Sequence, residues 1–146
     1  MTPSITVRSM QTSDLADVAG LCAQLGYPST EAQVAERFVQ LAASVRDEVL
    51  VAHDGQHVVG WIHLHIALTL ETDRHVEIGG LVVDEGARGK GAGRLLVAEG
   101  ERWAGAHGCS RMRVRSNVTR WGAHGFYQGL GYRIVKTQYT FVKECE

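Results

Sequence analysis

The sequence predicts an α/β domain: a mixed, mostly antiparallel sheet with helices covering both of its faces. Three observations carry this. A short N-terminal strand is followed by two segments whose apolar residues recur at helical spacing. Three runs rich in Val, Ile and Leu then alternate with period two and are separated by turn residues. After Val83 the period changes again, as a glycine-rich loop opens a further helix.

In order along the chain, Ile5 to Arg8 reads as a strand, and Thr12 is a plausible N-cap. Leu15, Val18, Ala19, Cys22 and Leu25 form one helix stripe, stopped by Gly26 and Tyr27-Pro28. Thr30 with Gln33 makes a capping box, and Val34, Phe38, Leu41 and Val45 form the next stripe. Glu48 to His53 is a strand, Asp54-Gly55 a hairpin turn, and about His57 to Leu68 the return strand. Glu71 to Arg74 is a polar turn before a strand from His75 to Val83. A helix carries Leu96, Gly100 and Trp103 and ends at Gly108. Arg111 to Arg115 is a short strand, and Ala123, Phe126, Tyr127 and Leu130 mark a weaker helix. Gly131 to Lys136 and Gln138 to Lys143 read as one bent strand or a tight pair. The expected order is β-α-α-β-β-β-α-β-α-β-β, in which a meander passes through a crossover helix to a parallel neighbour.

Composition narrows the class of function. The chain has 146 residues, suited to one domain over 1–146, with 45% hydrophobic and 21% charged residues. A formal net charge of -1 gives no field to recruit nucleic acid or an anionic membrane. Basic residues do cluster at Arg88 to Arg94 and Arg111 to Arg120, which suits a phosphate-bearing ligand. The three cysteines, Cys22, Cys109 and Cys145, are widely spaced and support neither a disulfide framework nor a zinc site. The opening MTPSITVRSM does not read as a signal peptide, and no run reaches the length of a membrane span, so a cytoplasmic location is expected.

The most informative segment is Val82 to Leu96, VVDEGARGKGAGRLL. A strand runs into a loop with Gly89, Gly91 and Gly93, which opens a helix. The first turn of a helix has amides with no internal partner and carries partial positive charge. Glycines admit phosphate oxygens close to such a backbone, and Arg88, Lys90 and Arg94 add full charges. A Walker loop would need Ser or Thr after the lysine, where Gly91 stands. A dinucleotide fingerprint starting at Gly89 would need glycine at 94, where Arg94 stands.

The spacing that fits is Arg-x-x-Gly-x-Gly, at Arg88, Gly91 and Gly93. With the later Asn117 and the run Phe126-Tyr127 followed by Leu130-Gly131-Tyr132, it resembles the coenzyme A signature and closing motif of the GNAT acetyltransferase superfamily. The resemblance covers almost the whole chain and implies the acyl-CoA N-acyltransferase fold, with a splayed slot between the fourth and fifth strands. It implies acetyl-CoA as co-substrate and no metal. The diphosphate would lie on Arg88, Gly89, Lys90, Gly91, Ala92, Gly93 and Arg94, with the pantetheine arm along Leu81, Val82 and Val83 and against Asn117 and Phe126. Glu77 resembles the family's general base and Tyr127 the acid that protonates the departing sulfur. The resemblance also makes a homodimer a possible partner arrangement.

Other readings of these residues stay open. Gly79-Gly80 suits a β-bulge or a close approach, and equally a simple relief of crowding. Glu77 is alternatively a solvated acid or a salt-bridge partner of His75 or Arg74, and Tyr127 a core aromatic. His63 and His65 share a strand face with Trp61, without metal-ligand spacing. Together with Glu71 and Asp73 they are candidates to line the acceptor pocket, where acids favour a cationic amine and Trp61 offers a cation-π face. The expected function is acetyl transfer to a primary amine of a small molecule. The alternatives are a lysine or N-terminal acetyltransferase of proteins or peptides, and a non-catalytic acetyl-CoA sensor.

Overall fold

The computed structural model describes residues 4–119 and 121–146, leaving aside the side chain of Trp121. Met1–Pro3 and Arg120, the last residue of the second basic cluster, lie outside the described residues. The chain forms two compact units, Met1–Val114 and Arg115–Glu146.

The first unit contains β1 (Thr6–Ser9), α1 (Leu15–Leu25), α2 (Glu31–Ala42), β2 (Asp47–His53), β3 (Val58–Ala67), β4 (His75–Val83), α3 (Ala92–Ala106) and β5 (Met112–Val114). The sheet order is β1-β2-β3-β4-β5. All neighbours are antiparallel except β4 and β5, which are parallel and joined by α3. The mixed sheet expected from the sequence is therefore present.

Period-two alternation divides the sheet into two faces. On one face Ile62 and Leu64 are fully buried, and α3 packs here through Leu96, also fully buried. The packing is close. A Cβ on Gly100 of α3 would stand 3.0 Å from the Leu64 side chain, and one on Gly60 would stand 2.9 Å from the Val82 carbonyl. On the other face Val49, Val51 and Val82 join Val18, Ala19 and Leu21 of α1 and Val34 of α2 in one cluster, against which Trp61 packs. Helices thus cover both faces.

The ends of α1 and α2 show how much local chemistry decides. The Thr30 hydroxyl accepts from the Gln33 amide at 3.1 Å, and Gln33 Oε1 accepts from the Thr30 amide at 2.9 Å, so the predicted capping box is made. Thr12 is not the cap predicted for α1. It lies inside a 3-10 turn, Thr12–Asp14, and the reciprocal cap is the Gln11 amide donating to Asp14 Oδ2 at 2.7 Å. Asp14 wins because Arg8 holds its buried carboxylate in place. Val45 also departs from its predicted place in the second stripe. α2 ends at Ala42, and Val45 is 88% exposed.

In the second unit, α4 (Trp121–Gly129) is closed by a glycine cap. The Gly131 amide donates to the Gln128 carbonyl at 3.0 Å and the Tyr132 amide to the Tyr127 carbonyl at 3.0 Å. Gly131 holds φ at 93°, a left-handed geometry that disfavours side chains. The Tyr127 and Tyr132 rings meet at 5.9 Å across this cap. The strands predicted over 131–136 and 138–143 are not formed. Residues 133–146 take part in no ladder, and Ile134, Val135, Tyr139, Phe141 and Val142 are exposed. Alternation shows which residues suit a strand, but a strand also needs a partner edge, which sequence does not supply.

Candidate active site

The loop after β4 is fixed from both sides. The Asp84 amide donates to the Val59 carbonyl at 2.7 Å, and Gln24 of α1 clamps the same turn. Gln24 Nε2 donates to Asp84 Oδ1 at 2.7 Å, while its Oε1 accepts from the Glu85 amide at 3.0 Å. The chain then crosses Gly89 and Gly91, with φ of 83° and 84°, conformations that glycine adopts without strain.

Gly91 caps α3 with no side-chain acceptor, and the first helical bond runs from the Leu95 amide to the Gly91 carbonyl at 3.0 Å. The amides of Ala92, Gly93 and Arg94 therefore have no acceptor among the described residues. No atom lies within 4 Å of a Cβ position on Gly89 or Gly91. Arg88, Lys90 and Arg94 are exposed and make no ion pair among the described residues. Open amides, open space and uncompensated cations together fit a diphosphate.

β4 leads into this loop with one edge open. Its parallel pairing with β5 covers Val76, Glu77 and Ile78 and ends at Val114. From Gly79 onward its ladder partners are on β3 alone among the described residues, and Leu81, Val82 and Val83 lie in that stretch. The register jumps here: His63 faces Gly80 and Leu64 faces Ile78, which makes Gly79 the extra residue of a β-bulge. Both glycines also relieve crowding. A Cβ on Gly79 would stand 2.7 Å from His63 Nδ1, and one on Gly80 would stand 2.8 Å from Trp61 Cη2.

Below the bulge a polar row crosses four strands on the face that α1 and α2 cover higher up. Asp47 pairs with His65, His65 with Glu77, and Glu77 with Arg113. Directly opposed residues share a face. Asp47 Oδ1 meets His63 Nε2 at 2.8 Å and His65 Nδ1 at 3.0 Å, and its Oδ2 accepts from the Ser44 hydroxyl at 2.7 Å. Burial alone pushes the Asp47 carboxyl upward, but the bonds from Ser44, His63 and His65 outweigh it and hold it below the usual carboxylate range. Glu77 Oε1 meets His75 Nε2 at 3.1 Å and lies 3.8 Å from Arg113 Nε. His75 Nδ1 donates to the Asp73 carbonyl at 2.9 Å. The buried His75 ring therefore faces an acceptor on each side.

The structure brings His63, His65 and Glu77 of the predicted site residues onto this row. Trp61 stands higher on the same face, and its buried Nε1 has no hydrogen-bond partner among the described residues. Asp73 touches the row only through its carbonyl, and Glu71 lies exposed in the β3–β4 turn. Asp47, His75 and Arg113 escaped sequence reasoning as site residues, because strand register is what joins them. A cleft of about 250 Å³ beside α2 includes Asp47 in its wall but neither His63 nor Gly79.

In the second unit, Asn117 Oδ1 accepts from the Thr119 amide at 3.0 Å and the Thr119 hydroxyl at 2.9 Å, and the Asn117 carbonyl meets His124 Nε2 at 2.8 Å. Its side-chain carbonyl is thus spent on a local turn, and Nδ2 is the part suited to an outside acceptor. Phe126 and Tyr127 pack edge to face at 5.2 Å. Cys109 is buried, which does not suit a nucleophile.

A mixed sheet opened along one edge of β4, running into a helix start with open amides, suits an acyl-CoA-type transferase scaffold. The sequence model of the acetyltransferase (GNAT) family matches residues 15–132, and the chain belongs to that family of acetyltransferases. It is 36% identical over 113 residues to blasticidin-S acetyltransferase of Streptomyces morookaense, covering 73% of this chain and 68% of that one. Among solved structures it resembles AAC(6')-Iy in complex with the bisubstrate analogue CoA-S-monomethyl-acetylneamine, at a TM-score of 0.86 and 19% identity, over 97% of this chain and 99% of that one. It also resembles the aminoglycoside 6'-N-acetyltransferase AAC(6')-Ih from Acinetobacter baumannii, at a TM-score of 0.85 and 21% identity, over 98% and 100%. These two likenesses speak to the fold.

Proposed function

We propose that the chain acts as one catalytic domain that transfers the acetyl group of acetyl-CoA to a primary amine of a small cationic molecule. The observation that carries this is the start of α3, where unpartnered amides and three exposed cations follow the stretch of β4 that pairs with β3 alone among the described residues. Arg88, Lys90, Arg94 and the amides from Gly89 to Arg94 would hold the diphosphate. Backbone groups of Leu81 to Val83 would align the pantetheine arm and donate to the thioester oxygen, with Asn117 Nδ2 and Phe126 completing the cofactor contacts.

The row anchored by Glu77 faces the acceptor. Its carboxylates attract an ammonium group, and the row takes the proton that must leave before the nitrogen can attack. Trp61, His63, His65, Glu71 and Asp73 are the residues proposed to shape the acceptor side. Tyr127 returns a proton to the sulfur. The relatives named for blasticidin S and aminoglycosides make amine-bearing antibiotics the first acceptors to try. No helix among the described residues is long and apolar enough to cross a membrane, and the proposed setting is the cytoplasm. The exposed apolar residues between 134 and 142 support a homodimer.

The test is thiol release from acetyl-CoA in the presence of blasticidin S, aminoglycosides, simple polyamines and lysine peptides. Release with a small amine, and acetylated amine in the product, is the expected result. Release with peptides alone would move the reading to a peptide acetyltransferase. Tight acetyl-CoA binding without release would move it to a sensor.

A further inference from the structure

The polar row contains a base that the family resemblance does not assign. His63 sits beside the β4 bulge, with Nδ1 only 2.7 Å from where a Gly79 Cβ would stand. Gly79 is where β4 parts from β5. The ring is oriented from behind by Asp47, 2.8 Å from Nε2. An ionised carboxylate can only accept, so Nε2 carries the hydrogen and Nδ1 keeps the lone pair. Among the described residues Nδ1 makes no hydrogen bond, and the side chain is 25% exposed.

The neighbouring groups are less suited. Glu77 Oε1 is already engaged by His75 and lies 3.8 Å from Arg113 Nε. His65 is oriented by the same Asp47 but stands opposite Glu77, away from the bulge. The charged or titratable groups facing His63 on this face are thus Asp47 on β2, His65 on β3, His75 and Glu77 on β4, and Arg113 on β5. Neither α1 nor α2 brings a hydrogen-bonding acid or base to the His63 ring among the described residues.

We propose that His63 takes the proton of the acceptor's ammonium group at Nδ1, and that Asp47 is the positioning residue that fixes its ring and tautomer. The proposal rests on the acetyl-transfer reading above. The ammonium N–H breaks and an Nδ1–H bond forms. The freed nitrogen lone pair then bonds to the thioester carbon as the carbon–sulfur bond breaks. The second nitrogen-bound proton ends on the departing thiolate, and the imidazolium later returns its proton to water. One amide, one thiol and one solvent proton result. Glu77 supplies charge that holds the ammonium in place.

Two measurements test this. In the ligand-free protein, long-range nitrogen–carbon correlation in the His63 ring should show the Nε2–H tautomer above its titration, and D47N should weaken that preference. An Nδ1–H tautomer in the unmodified protein overturns the proposal. In kinetics, H63Q should lower kcat/KM for the amine about 100-fold and remove the acid limb of its pH profile, with acetyl-CoA affinity unchanged. D47N should lower kcat in the same sense, while E77Q should raise KM and keep the limb. Turnover by H63Q at the normal rate, or loss of the limb in E77Q, overturns the proposal alone. An unmodified protein that releases no thiol with any amine fails the acetyl-transfer reading, and this proposal with it.

Discussion

Asp14 is only 4% exposed, yet its carboxyl lies below the ordinary carboxylate range. The cause is the Arg8 guanidinium, which donates from Nη1 at 2.8 Å and from Nη2 at 3.0 Å, against a burial effect that works the other way. A carboxyl whose folded pKa is depressed contributes its full stability above the unfolded value of about 4, and loses it as pH falls through the lower folded value. Asp14→Asn should therefore lower the unfolding free energy by about 2 kcal/mol at pH 7, a figure moderated because Arg8 is partly open to solvent. Below pH 4 the loss should shrink. Urea denaturation at both pH values checks this, and an equal loss at both would contradict it. At the same scale, Gly79 and Gly80 were legible as a bulge or close approach, but not the side chains responsible. His63 and Trp61 belong to the neighbouring strand, and only register places them over the glycines.

Among the elements, β4 occupies His75–Val83 as expected, because turn residues bound its Val-rich run on both sides. The glycine loop was equally legible, since its backbone shape is one that glycine spacing writes into the sequence. The polar row was not. Asp47 and Arg113 lie far apart in the chain and meet Glu77 and the histidines only through three successive ladders. The C-terminal segment failed in the opposite way, because its alternating pattern forms no ladder. α4 carries its own prediction. Tyr127→Phe keeps the ring contacts with Phe126 and Tyr132 while removing the hydroxyl. It should reduce kcat about 100-fold with little change in acetyl-CoA affinity, as measured by steady-state kinetics and calorimetry. Equal losses in both would reduce Tyr127 to a packing residue.

For the molecule as a whole, the sheet separates two tasks. One face meets α3 through Ile62, Leu64 and Leu96, which fixes the helix whose first turn presents open amides. The other face is sealed by α1 and α2 above and left polar below, where Asp47, His63, His65 and Glu77 gather. In the proposed function, binding of an anionic cofactor and handling of a cationic acceptor thus fall on different parts of one scaffold. The most direct test of this account is amide-resolved NMR during titration with coenzyme A. Saturable shifts concentrated at Gly89 to Arg94 and Leu81 to Val83, abolished by Gly91→Val, are the result it predicts. Saturable binding that leaves those amides unmoved, or that Gly91→Val does not weaken, would contradict it.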